Sequence, residues 1–247
     1  MSAAGGGNGM PDSPLRNEYL EAMGIQQWVR RDRGPESVPQ AGAAARTAIA
    51  DVAAEPQAAA IADLDWVQLE AGVAACTRCA LAQTRTRTVF GTGNREADWL
   101  IIGEAPGVDE DRQGEPFVGR AGQLLTQMLR AVGLQREEVY ITNILKCRPP
   151  GNRDPLPEEV ASCHEYLERQ IALAGPRLLL AVGRIAAQNL LQTDTPVGRL
   201  RGIVHYYGNN RIPLVVTYHP AYLLRSPQEK RKAWADLQLA RQVYRGQ

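Results

Sequence analysis

Residues 98–125 read DWLIIGEAPGVDEDRQGEPFVGRAGQLL. Trp99, Leu100, Ile101 and Ile102 make a short apolar run that suits a buried strand. Farther on, Leu124, Leu125, Met128, Leu129 and Val132 recur at three- and four-residue spacing, the mark of one helix face. The glycines and carboxylates of residues 103–125 therefore fill a long loop between a strand and a helix. In an α/β sheet, loops at the carboxyl ends of strands are where ligands sit. The five glycines of this loop permit close backbone approach to a ligand, while Pro106 and Pro116 stiffen it. Phe117 is an aromatic in polar surroundings, which points to a flat partner or a small local core. No Gly-Lys-Ser/Thr follows, so the loop is not a Walker phosphate loop.

The alternation continues along the chain. Residues 139–145, 178–182, 203–207 and 214–217 read as strands, and 63–75, 157–173, 184–191 and 228–244 as helices. Strands alternating with helices predict an α/β fold, a three-layer α/β/α sandwich with a mainly parallel central sheet. No internal repeat is visible.

Composition narrows the function classes. A chain of 247 residues allows one domain with a tail, and a formal net charge of +1 gives no global field toward nucleic acid. The charge is uneven, however. From Arg199 onward nine cations face only Glu229 and Asp236, a basic end suited to a phosphate backbone or to a solvated helix face. No apolar run is long enough for a membrane span, and the N-terminus lacks an apolar signal core. A cytoplasmic, nucleoid-associated monomer is expected. There, thiols stay free or bind metal rather than pairing as disulfides. The four cysteines are Cys76 and Cys79, a C-x-x-C pair, with Cys147 and Cys163. Four thiolates suit zinc or an iron–sulfur cubane, and spacing does not decide between them.

Three stretches together carry a family resemblance. GEAPGVDEDRQGEPFVGRAGQLL at 103–125 resembles the first motif of the family 4 uracil-DNA glycosylases. YITNILKCRPP at 140–150 resembles the family's asparagine strand, and YHPAYLLR at 218–225 its histidine motif. The cysteines match the family's iron–sulfur ligands in order, and the likeness covers roughly residues 65–245. It implies a uracil-DNA glycosylase-like fold over 61–247, uracil-containing DNA as substrate, and a 4Fe–4S cluster held by Cys76, Cys79, Cys147 and Cys163.

The resemblance also implies roles. Phe117 would stack on an extruded uracil, and Asn143 would read its edge. His219 would stabilise the departing base. The wider superfamily has an aspartate where this chain has Ala105, so Glu104 is the nearest group to place the attacking water. Glu110 would sit near uracil C5 and exclude thymine. Leu223 or Leu224 would wedge into the emptied stack, with Arg225 on a phosphate. The cluster would also brace Lys146 and Arg148, which flank its ligand Cys147 and would approach phosphates. His164 and His205 read as ordinary. The superfamily variety that becomes trapped on DNA has a histidine-bearing basic insert after the asparagine strand; residues 148–155 hold no histidine. A non-catalytic iron–sulfur DNA-binding or adaptor module is the alternative from another class.

Residues 1–60 lie outside the resemblance and read as a Gly-, Ala- and Pro-rich tail. Within it, LRNEYLEAMGIQQWVRRDR at 15–33 carries Leu20, Met23, Ile25 and Trp28, followed by arginines. An apolar patch between two linkers docks on the main domain or binds a partner as a linear motif. The segment is similar to the N-terminal peptide of the psi subunit of the bacterial clamp loader, which implies a replication or repair protein as partner.

Overall fold

The computed structural model describes residues 60–246; the tail and its 15–33 patch lie outside the described residues. Helix α1 (Trp66–Ala74) starts at Asp65. The Asp65 carboxylate accepts from the Gln68 N–H at 2.8 Å, and the Gln68 side chain accepts from the Asp65 N–H at 3.0 Å. This reciprocal box satisfies two otherwise orphaned donors and fixes where the helix begins. Next come β1 (Thr92–Gly93), β2 (Trp99–Gly103), α2 (Val108–Gln113), α3 (Arg120–Ala131), β3 (Tyr140–Asn143) and α4 (Pro157–Ala174). β4 (Leu178–Val182), α5 (Arg184–Leu191), α6 (Val197–Leu200), β5 (Val204–Tyr207), β6 (Ile212–Thr217), α7 (Pro220–Arg225) and α8 (Lys230–Arg245) complete the chain.

The six strands form one sheet in the order β1-β3-β2-β4-β6-β5. The inner four are parallel and the two edge strands antiparallel. Successive strand residues alternate between faces. Trp99, Ile101, Ile141, Leu178, Leu180, Val182 and Val215 pack with Leu125 and Leu129 of α3 and Leu237 of α8. Leu100, Ile102, Tyr140, Leu179, Ala181, Leu214 and Val216 pack on the other face with Leu167 and Ile171 of α4 and Leu190 of α5. This is the expected sandwich. Burial of both sheet faces explains why these strands read as continuous apolar runs. Among the described residues no helix is long and apolar enough to cross a membrane.

Some local expectations change. The loop after β2 contains the short helix α2, which ends at Gly114 in the left-handed region, φ 81°. The strand expected at 139–145 stops at Asn143. The next two N–H groups, of Ile144 and Leu145, instead donate to the carbonyls of Gly103 and Glu104. Residues 220–225 are helical, since Pro220 is preset for a first helical turn and His219 caps it.

Candidate active site

All four inner strands end at one edge of the sheet, and their carboxyl ends line a cavity of about 760 Å³. Glu104 and Ala105 follow β2, Asn143 ends β3, Gly183 and Arg184 follow β4, and Tyr218 and His219 follow β6; Glu110 and Phe117 complete the wall. The volume falls within the range of small-ligand sites.

Phe117, Asn143 and His219 meet here. The Phe117 ring stacks on the His219 ring, with centroids 5.6 Å apart and planes 29° from parallel. Phe117 has φ 55°, a conformation held by close packing against α3. A Cβ on Gly122 would lie 1.6 Å from the Phe117 carbonyl oxygen. A Cβ on Gly103 would fall 2.4 Å from Asn143 Oδ1 and 2.5 Å from Phe117 Cζ. The bare Cα of Gly103 is therefore what lets the amide and the ring close over the end of β2. Asn143 is 2% exposed, and its Oδ1 is buried without a hydrogen-bond partner. Such an acceptor costs about 1–3 kcal/mol, a cost recovered when a ligand donor arrives.

His219 Nδ1 accepts from the Ala221 N–H at 3.1 Å. That bond assigns the ring proton to Nε2 and makes Nε2 a donor. Burial, assisted by Arg225 and opposed by Glu110, pushes the imidazole down to about 4. The ring is thus a neutral donor at physiological pH. Glu104 is pushed up to about 7, chiefly by burial and then by Asp154, with Arg184 opposing.

Glu110 also braces its own loop. One carboxylate oxygen accepts from the Gly107 N–H at 3.1 Å, and the other from the N–H groups of Val118 and Gly119, both at 3.0 Å. It lines the cavity, but it works as a brace joining both ends of the loop that presents Phe117. Ala105 carries no carboxylate and adjoins the cysteine cluster. Leu223 is 1% exposed in the core, so a wedge role for it is corrected: the phase of α7 turns Leu223 inward and leaves Leu224 at 37% exposure. Arg225 lines the cavity. His164 pairs with Glu168 on α4, and His205 Nε2 bonds the Leu200 carbonyl, ordinary roles for both.

Cys76, Cys79, Cys147 and Cys163 line one small cavity with Arg85 and Lys146. Arg85 Nη1 donates to Cys147 Sγ at 3.2 Å. Burial pushes the Cys147 thiol up to about 11, and raises that of Cys163. Unliganded, these thiols would be protonated and unreactive; a metal would take them as thiolates. Among the described residues no three metal-ligating side chains are gathered tightly enough for a single ion. Four thiols lining one cavity beside Arg85 and Lys146 are a donor set whose negative charge, once deprotonated on a metal centre, those cations would offset. Lys146 is 1% exposed and does not reach the surface, so the expected phosphate approach is corrected; its amine is tied inside the fold. Arg148 donates to Asn152 at 2.7 Å on the exposed side.

Two cavity residues were missed in the sequence. Arg184 and Asp154 form an ion pair beside Glu104. Arg184 sits directly after a strand end, so the strand-end rule applied to β4 would have found it.

A family model described as the uracil DNA glycosylase superfamily matches residues 90–238, and the chain belongs to that superfamily. Within it, the chain is 46% identical over 170 residues to a type-4 uracil-DNA glycosylase of Archaeoglobus fulgidus, covering 66% of this chain and 85% of the relative. It is 43% identical over 153 residues to that of Thermotoga maritima, covering 61% and 79%. It is 39% identical over 178 residues to that of Sulfurisphaera tokodaii, covering 69% and 81%.

Proposed function

We infer that this chain is a DNA repair hydrolase that takes uracil out of DNA and hydrolyses its N-glycosidic bond, leaving an abasic site. The observation that supports this most is the meeting of Phe117, Asn143 and His219 at one cavity, with the Asn143 oxygen unpaired. A base inside a duplex must be flipped out before it can be cut. Phe117 stacks on the flipped ring. Asn143 accepts from uracil N3–H and donates to O4. His219 Nε2–H donates to O2, where negative charge grows as the bond breaks. The bond breaks first and leaves an oxocarbenium-like sugar. Ionised Glu104 offsets that positive charge and orients the water that adds to it. Leu224 fills the vacated stack and Arg225 holds a phosphate.

The four cysteines are proposed to hold a 4Fe–4S cluster. Bound there, the group supplies a covalent cross-link between the segment ahead of β2, the turn after β3, and α4. Cys147→Ser should remove the protein's brown colour and visible absorbance. It should also lower the melting midpoint by on the order of 10 °C, the scale of several kcal/mol in a domain of this size. Full colour and an unchanged midpoint would reject the assignment.

The reading is tested by incubating the purified chain with a uracil-containing oligonucleotide, then alkali, and scoring breaks. Cutting at uracil, with thymine and cytosine strands intact, is expected. An uncut uracil strand from folded, coloured protein would leave the non-catalytic adaptor alternative. Residues 15–33 are proposed to bind a replication or repair protein. Capture by the 15–33 peptide should be lost with Trp28→Ala, and capture of nothing removes the idea.

A further inference from the structure

The cysteine-lined cavity and the base-reading amide are joined by a buried polar network that the reaction scheme does not use. Lys146 lies between Asn143 and Cys147 in sequence. Its Nζ donates to Thr142 Oγ1 and to the Asn143 carbonyl, both at 2.7 Å. Its side chain lines the cysteine cavity together with Cys147 and Cys163. Thr142 Oγ1 shares its proton between the Phe90 carbonyl at 2.9 Å and Gln170 Oε1 at 3.2 Å. Gln170 Nε2 donates to the same Phe90 carbonyl at 2.9 Å and to Tyr140 Oη at 3.2 Å. Thr142, Asn143, Lys146 and Gln170 are each at most 2% exposed.

Two features argue against a filler role. A buried ammonium is costly unless an anion or several acceptors face it. Among the described residues Lys146 has no carboxylate within ion-pair distance, and the cysteine cavity is the one anionic centre beside it once the thiols are liganded. Second, its acceptor is the carbonyl of the very residue whose side chain stands unpaired in the base cavity. The β3 ladder pairs Asn143 with Gly103, so a shift in this carbonyl moves the amide against the narrow gap over Gly103.

We propose that Lys146 is a positioning residue that transmits the placement of the cysteine centre to the orientation of the Asn143 amide. It rests on Asn143 being the group that reads the base. Gln170 and Cys163 lie seven residues apart on α4, on one helix face, so the same helix anchors the centre and the network. The liganded centre fixes Cys147 and Cys163, which share a cavity wall with the Lys146 side chain, and Lys146 fixes the end of β3.

The test is a double-mutant cycle between Lys146→Met and Asn143→Ala, read by single-turnover uracil release, visible absorbance per chain and the melting midpoint. Lys146→Met keeps the stem and removes the donors. It should keep the visible absorbance and slow uracil release by about 10- to 100-fold, the scale of a small misplacement. The double variant should be no slower than Asn143→Ala alone, since a misaimed amide has nothing left to lose. Lys146→Arg should recover part of the rate by restoring a donor to the Asn143 carbonyl. Multiplying effects in the double variant, or a Lys146→Met rate equal to the parent's, would overturn the proposal. If Lys146→Met does not fold, Thr142→Val, which removes one of the two acceptors, decides by the same cycle with a smaller loss. An Asn143→Ala rate equal to the parent's would instead reject the reading of Asn143, whatever the cycle shows.

Discussion

His219→Ala should slow uracil release by about 10²- to 10³-fold, the loss expected for one preorganised donor to a developing oxyanion. The loss should appear in the single-turnover rate and not in DNA affinity, because the Nε2–H bond to O2 strengthens only as charge develops. The pH profile separates this residue from Glu104. The imidazole, pushed down to about 4, stays neutral across pH 5–9, so it contributes no titration there. Glu104, pushed up to about 7, is protonated below that and ionised above it. If its ionised form offsets the positive charge that develops on the sugar, the rate falls as pH drops through about 7 and levels above it. Glu104→Gln should flatten this profile and cost less than the histidine change, since bond breaking precedes water attack. A profile in Glu104→Gln still titrating near neutrality would mean the imidazole, or another group, carries the proton. A His219→Ala rate within a few-fold of the parent's would remove the electrophile from the scheme.

The layer order was legible because burial on both faces leaves its mark as unbroken apolar runs, as in 178–182, whose bounds match β4. The three residues that meet at the cavity were legible through motif resemblance, Asn143 and His219 at or just beyond a strand end and Phe117 in the loop ahead of α3. What escaped depends on direction rather than on residue type. Glu110 carries the same carboxylate whether it faces a ligand or its own loop, and only the 3.0–3.1 Å bonds to Gly107, Val118 and Gly119 decide. Leu223 and Leu224 are identical neighbours, separated only by the helical phase of six residues. Lys146 reads as a surface cation in any composition argument, because a buried lysine with hydroxyl and carbonyl partners has no sequence signal. Arg184 and Asp154 are far apart in the chain, and their pairing follows from the arrangement of β3 and β4 on either side of β2.

Asn143→Asp should change what is cut as well as how fast. The parent amide offers an acceptor to N3–H and a donor to O4, and its Oδ1 has no competing partner. Cytosine presents an N4 donor and an N3 acceptor, the reverse order, so binding it would set donor against donor and acceptor against acceptor. A site of this kind rejects the wrong analogue by about 10⁴-fold or more. An ionised aspartate is acceptor-only. It still takes the uracil N3–H, but it faces O4 with like charge and repels the electrons moving onto the departing base. Uracil release should therefore fall by at least about 10²-fold. The same carboxylate accepts from cytosine N4–H, the pairing that acidic side chains make with that base. The ratio of uracil to cytosine cutting should thus shrink more than Asn143→Ala makes it shrink, since alanine removes both partners without offering a new one. Gly103 confines the replacement to the position of the amide, because its bare Cα leaves room there for a planar group of that size and little more. Equal uracil to cytosine ratios in the aspartate and alanine variants, measured on matched oligonucleotides, would show that discrimination comes from the shape of the cavity and not from the order of donor and acceptor at residue 143.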